Sequence, residues 1–382
     1  MPASLLQESR PVSTRNPWLD QIKALACLAI VGHHLAFYGP MADAVRPALP
    51  ALIGWLDDYG RMAVQVFLVL GGYFAAAAIA PHGIARQEAF WPALGKRYVR
   101  LALPYAAALA LAIVVNEIVR TAGFDHESVS ATPTWRSVLA HLALLHSIGG
   151  FESLSAGVWY VAIDFQLYGL VLLWFWLCRR AGVVPTTAQA VVATVTAASL
   201  WWWNRHAALD VWALYFVGSH GLGMMAWWAS RSPQASHRLG WTLALAIIGC
   251  VALVIEWRTR IAVALAMALL VVVAAHARWP RRVRRWHARP LSWVGERSYS
   301  IFLIHFPVSL LVNAGFHLQG YQGVYLNGVG MLLAVSLSLA AGSLLHRFTE
   351  VPAPTWPRWA RWRRGPAAAK CGPGDGVFPD SH

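Results

Sequence analysis

Two adjacent imidazoles, His33 and His34, interrupt the run LACLAIVGHHLAFYG at residues 25–39, which is otherwise built for lipid. A histidine titrates near neutrality, so one held at depth can take a proton from a hydroxyl or carry a transferred group. The plainer reading is a neutral ring hydrogen-bonded to a neighbouring helix. Spacing separates the two residues. Asn16 can cap a helix that begins at Pro17, and Asp20 and Lys23 follow. On that helix Lys23 and His34, eleven residues apart, fall within about 20° of each other, and Asp20 lies about 40° to the other side of His34. His33 is turned about 100° from this stripe. His34 is therefore expected to share an interior face with the charges, about 16 Å beyond Lys23. Ionisable groups at such depth usually face a cavity or a partner.

Three further stretches carry chemistry. GKRYVRLALPYAAAL (95–109) holds Lys96 with Arg97 and Arg100, whose guanidinium forks suit phosphate oxygens. Ordinary flanking charge is the alternative. VWYVAIDFQLYGL (158–170) places Asp164 inside an apolar run, with Tyr168 one turn on. Such a carboxylate orients a histidine, binds a hydroxyl or completes an ion pair, and the sequence leaves all three open. WVGERSYSIFLIHFPV (293–308) carries Ser298, Tyr299 and His305, with Pro307 able to free backbone groups.

The elements that position these residues are membrane helices. Of 382 residues 58% are hydrophobic and 13% charged, about half the charge usual in a soluble domain. Apolar stretches long enough to cross about 30 Å of hydrocarbon recur, and the short alternating segments of a barrel do not. The fold class expected is all-α, a polytopic bundle of about ten spans. These lie at roughly 19–38, 60–80, 97–118, 157–178, 184–203, 210–230, 239–256, 259–277, 294–317 and 324–346. Most of the 31 Lys and Arg residues then fall on the side of the N-terminus, which predicts both termini in the cytoplasm. That distribution accounts for the net charge of +14 without nucleic acid. The run RWPRRVRRWHAR (278–289) reads as a cytoplasmic loop against anionic lipid. Residues 1–17 form a cytoplasmic tail, 18–350 the membrane domain, and 351–382, rich in Pro, Gly and Arg, a disordered tail.

Cys27, Cys178, Cys250 and Cys371 have neither disulfide nor zinc spacing, so no metal is expected. The loop 119–156 suggests a short helix near 135–147, with His141 and His146 on a solvated face. Asn116, Glu117 and Glu256 are candidate acceptor-side residues. The absence of an internal repeat gives no support to an inverted-repeat transporter.

WLDQIKALACLAIVGHH resembles the opening signature of the acyltransferase 3 family of membrane O-acyltransferases, through Leu19, Asp20, Lys23 and His34. FLVLGGYFAA (67–76) resembles its second-helix pattern, with Gly71 and Gly72 at the small pair. Arg97 and Arg100 match its Arg-x-x-Arg pair, and Trp159, Asp164 and Tyr168 its Trp-x4-Glu-x3-Tyr pattern. Gly295, Ser298, Tyr299, Leu303, His305 and Pro307 match the stretch near its ninth span. Two departures stand out: Lys23 replaces the usual Arg and loses the bidentate fork, and Asp164 is shorter than the usual Glu.

The resemblance implies a multi-pass enzyme of a bacterial plasma membrane that moves an acyl group, most commonly acetyl, to a glycan or lipid-linked glycan hydroxyl. The donor implied is cytoplasmic acyl-CoA, a co-substrate, with no bound cofactor. His34 and Asp164 would be catalytic, with His34 a general base or an acyl carrier. Lys23, Arg97 and Arg100 would hold the donor, and Asp20, Tyr168, Ser298, Tyr299 and His305 would support the site. The rival reading is a transporter or flippase of polar lipids or glycans, with His34, Asp164 and His305 lining a path. A third is a non-catalytic partner in polysaccharide synthesis.

Overall fold

The computed structural model describes residues 17–86, 89–276 and 289–351, and among them every regular element is helical. The readings for residues 1–16, 278–288 and 352–382 fall outside the described residues, as do Asn16 and Cys371.

The described residues begin with α1 (Pro17–Phe37), the short α2 (Pro40–Val45) and α3 (Pro50–Tyr59), which runs through one tight turn into α4 (Val64–Ile79). The long α5 (Phe90–Thr121) follows, then α6 (Trp135–Leu142) and α7 (Val158–Arg180). After these come α8 (Pro185–Trp201), α9 (Ala213–Arg231), α10 (Ala235–Ile255) and α11 (Thr259–His276). The last two are α12 (Arg289–Leu318) and α13 (Val324–Leu345).

These helices form two bundles that meet on a seam. In one, α12 is the hub, packed against α1, α5 and α13; in the other, α9 is the hub, packed against α4, α8, α10 and α11. Helices α4 and α7 join the two, since α4 also meets α1 and α7 also meets α5. The number of spans differs from the expected ten. Among the described residues seven helical stretches are long and apolar enough to cross a membrane: Pro50–Ile79, Phe90–Thr121, Val158–Arg180, Ala235–Ile255, Thr259–His276, Arg289–Leu318 and Val324–Glu350. The expected spans that fall short are α1, α8 and α9. Helix α8 has 17 residues. Helices α1 and α9 dilute their apolar content with Asp20, Lys23 and His34, and with Ser219, His220 and three glycines. A helix enclosed by protein has no need of lipid-like residues on every face.

Two close approaches set the geometry. A Cβ on Gly295 of α12 would lie 1.8 Å from the Asp20 carbonyl oxygen of α1, so only glycine permits this contact. Along the same seam Cys27 Sγ lies 3.6 Å from the Ser298 carbonyl, and His34 reaches His305. The numbers rise together on both helices, so α1 and α12 run parallel. On the other side, a Cβ on Gly72 of α4 would lie 1.7 Å from the His220 carbonyl of α9. The Gly71–Gly72 pair thus serves helix packing at its second member.

The segment between α5 and α7 is folded back onto the bundle. Asn116 accepts from the Ser130 amide at 2.7 Å, Tyr98 donates to Leu142 O at 2.7 Å, and Gln166 donates to Leu144 O at 3.1 Å. This corrects the expectation of a solvated face. His141 and His146 are both 0% exposed and stack at 4.1 Å, because the Leu154 amide closes over His141 Nε2. The candidate acceptor-side residues are likewise engaged within the fold: Asn116 in the loop anchor, Glu117 with Arg120, and Glu256 with Arg205.

Candidate active site

His34 and His305 meet across the α1–α12 seam, with His34 Nδ1 2.7 Å from His305 Nε2. The rings are 7° from parallel with centroids 5.0 Å apart. A nitrogen–nitrogen distance so much shorter than the centroid distance means that the rings meet edge to edge, the geometry of an in-plane hydrogen bond.

The other contacts assign the protons. His305 Nδ1 lies 2.7 Å from the Phe302 carbonyl, which can only accept, so Nδ1 carries a hydrogen. In a neutral ring Nε2 of His305 is then an acceptor. The hydrogen between the rings belongs to His34 Nδ1, and Nε2 of a neutral His34 is left with a lone pair. His305 is fully buried, whereas His34 keeps accessible surface. Tyr38 and Phe306 wall the ring, with centroids 5.7 and 6.1 Å from it. The arrangement can take a proton at one defined nitrogen and spread the resulting charge over two imidazoles.

His33 has a different task. Its Nδ1 lies 3.0 Å from the Leu56 carbonyl, so the ring donates there and ties α1 to α3. The facing argument from spacing therefore agrees with the structure for this pair.

A second polar centre lies on the inner seam. Arg97 donates to Asp164 Oδ2 at 2.5 Å, and its guanidinium sits 5.1 Å from the centre of the Tyr168 ring. Asp164 is thus paired with Arg97 and makes no bond to His34. Arg100, three residues on, is exposed, whereas Arg97 is partly buried. Between this centre and the histidines stands one aromatic layer. Tyr160 packs on Phe302 at 5.6 Å, Phe302 on His305 at 6.0 Å, and Phe67 on Tyr160 at 6.3 Å.

The supporting residues divide as follows. Lys23 Nζ pairs with Asp20 Oδ1 at 2.6 Å, an i,i+3 bridge at the start of α1. Ser298 Oγ donates to Gly295 O at 3.0 Å, inside its own helix. Tyr299 OH donates to Leu101 O at 2.9 Å and fixes α12 to α5. The structure therefore brings His34 to His305 and Arg97 to Asp164 and Tyr168. Lys23 and Asp20 stand apart as a pair.

Reasoning from sequence passed over His220, which lies beside Asp164 in the middle of α9. An imidazole inside an expected span, in the small-residue run GSHGLG, was the available signal.

Comparisons with known proteins agree in kind. The family model described as an acyltransferase domain matches residues 16–347. A Bacillus subtilis (strain 168) protein provisionally named peptidoglycan O-acetyltransferase YrhL is 24% identical over 335 residues, covering 77% of this chain and 49% of its own. The chain thus spans about half the length of that relative. A Komagataeibacter xylinus protein provisionally named membrane-bound transacylase BcsY is 22% identical over 321 residues, covering 77% of this chain and 79% of its own. No solved structure matches.

Proposed function

We propose, from the premise that this chain belongs to the acyltransferase family whose model matches residues 16–347, that it is a membrane O-acyltransferase with His34 as its base. The observation that carries this reading is the His34–His305 contact, which leaves Nε2 of His34 unprotonated and partly accessible. An acceptor hydroxyl gives its proton to that nitrogen as its oxygen bonds to the acyl carbon of a thioester. The C–S bond breaks, and the departing thiolate recovers the proton from His34 as a free thiol. An acyl group carried on Nε2 is the two-step version of the same transfer. In both, Nδ1–H held by His305 keeps the tautomer fixed and stabilises the imidazolium that forms.

The donor proposed is cytoplasmic acyl-CoA, most simply acetyl-CoA, entering from the end of α1 that carries Lys23. Arg100 and Lys23 would meet its phosphates, with Arg97 and Asp164 further along its path. The acceptor is a hydroxyl of an envelope glycan or its lipid-linked precursor. The peptidoglycan in the name of the Bacillus relative makes that polymer the first to test. Placement in a bacterial plasma membrane, with both termini cytoplasmic, belongs to the same proposal.

The experiment is glycan O-acyl content in cells carrying the wild-type protein or His34→Ala at matched membrane levels. Loss of ester is expected. Unchanged ester would sink the mechanism and favour transport.

A further inference from the structure

The Arg97–Asp164 pair has a neighbour that the fold leaves without a partner. His220 is 3% exposed, and neither of its ring nitrogens has a hydrogen-bond partner among the described residues. Buried polar side chains are satisfied in the large majority of cases, so two open nitrogens on one buried ring call for a partner from outside the chain. Gly71 shows where that partner would sit. A Cβ built there would lie 3.3 Å from Asp164 Oδ1 and 3.5 Å from His220 Nδ1. Gly71 also keeps accessible surface, although Leu70 and Gly72 on either side are buried. Its bare backbone floors a notch with a carboxylate oxygen on one wall and an imidazole on the other. Arg97 Nε, close by, is likewise buried and unpartnered.

Charge selects the occupant. Arg97 is already neutralised by Asp164 at 2.5 Å, so an anion entering here would meet the carboxylate as well as the guanidinium. A cation would meet Arg97. A neutral group with both a donor and an acceptor suits both walls: its N–H or O–H donates to Asp164 Oδ1, and its oxygen accepts from His220. Amides and hydroxyls have this character.

We propose that Gly71, Asp164 and His220 form a subsite for the neutral, amide-bearing arm of the thioester donor, one aromatic layer below the His34–His305 pair. This rests on the acyl-transfer reading above. In a coenzyme A thioester the sulfur is joined to its nearest amide by a two-carbon link. The Tyr160–Phe302 layer lies between subsite and base, with the Phe302 ring 5.6 Å from Tyr160 and 6.0 Å from His305 between centres. Arg97 then serves the neutral arm, through Asp164, and the phosphates are left to residues nearer the end of α1.

The test uses the full chain in lipid vesicles with a soluble glycan fragment. The same acyl group is offered on coenzyme A, on N-acetylcysteamine, which keeps one amide, and on ethanethiol, which has none. In the wild type the amide should raise kcat/KM by about tenfold, the worth of one well-made hydrogen bond. Gly71→Ala fills the notch without backbone displacement, and His220→Leu removes one wall. Both should bring the preference close to one, and His220→Gln should restore part of it. Thermal melting confirms that each variant folds. An unchanged preference in both variants, or none in the wild type, overturns the subsite while leaving acyl transfer standing. A rise in KM for the glycan with the donor preference intact also overturns it, by assigning the notch to an acceptor hydroxyl. A wild type that turns over no thioester removes the broader reading and the subsite with it.

Discussion

At the scale of single residues, the two adjacent histidines of α1 make different contacts, His34 with His305 and His33 with the Leu56 carbonyl. His305→Leu removes the acceptor that holds His34 Nδ1–H, so Nε2 loses its defined lone pair. Activity should fall by about 10²–10⁴-fold, as for removal of a positioned acid–base group, while His305→Gln, whose carbonyl can accept, retains more. A pH–rate profile checks this, because loss of the tautomer should move its shape as well as its height. His33→Ala should behave in the opposite way. It forfeits the bond to Leu56 and about 1 kcal/mol of stability, seen as a lower melting temperature, with kcat close to wild type. That the two rings face different neighbours was legible in sequence because helix periodicity is a local property. The proton chain was not, because the Phe302 carbonyl that assigns it depends on a rotamer. The pairing of Asp164 was one of three options left open, and the fold selected the ion pair.

At the scale of elements, the seam depends on what is missing from Gly295. Gly295→Ala places a methyl group 1.8 Å from the Asp20 carbonyl, so α1 and α12 must part. Overpacking of this kind typically costs about 1–3 kcal/mol. Activity should fall further than stability does, since the histidines ride on the same two helices. Gly315→Ala, on α12 with no atom within 4 Å of the added Cβ, is the control and should leave both unchanged. Melting curves and turnover measured on the two variants check the contrast. Apolar length made most elements readable, though their ends moved: the span expected at 60–80 is Pro50–Ile79, and that at 97–118 is Phe90–Thr121. Helix α9 was readable as an element but not as a hub, because enclosure by four neighbours comes from tertiary packing.

At the scale of the whole molecule, the segment 122–157 buries a group that responds to pH. Burial, and then His141 beside it, push the His146 imidazole down to about 4. In the unfolded chain the same group titrates near 6.5. Between these values the unfolded state binds the extra proton, so packing of the segment is fully stable above about 6.5 and weakens as pH falls toward 4. Limited proteolysis within 122–157 should therefore speed up at pH 5 relative to pH 7.5. His146→Phe should remove the difference, each pH being compared against wild type under the same protease. Charge distribution, the one whole-chain property that sequence offers directly, pointed to an orientation in the membrane. It carried no information on this covering segment, whose buried histidines look like solvated ones until the Leu154 amide is placed.

The contact between His34 and His305 spans 271 residues of chain. At ordinary synthesis rates of about 5–20 residues per second, α1 waits on the order of 15–50 s for its partner. During that interval His34 faces no finished interior, whereas His33 finds Leu56 only 23 residues on. Any chain that stops before α12 carries His34 without the ring that fixes its tautomer.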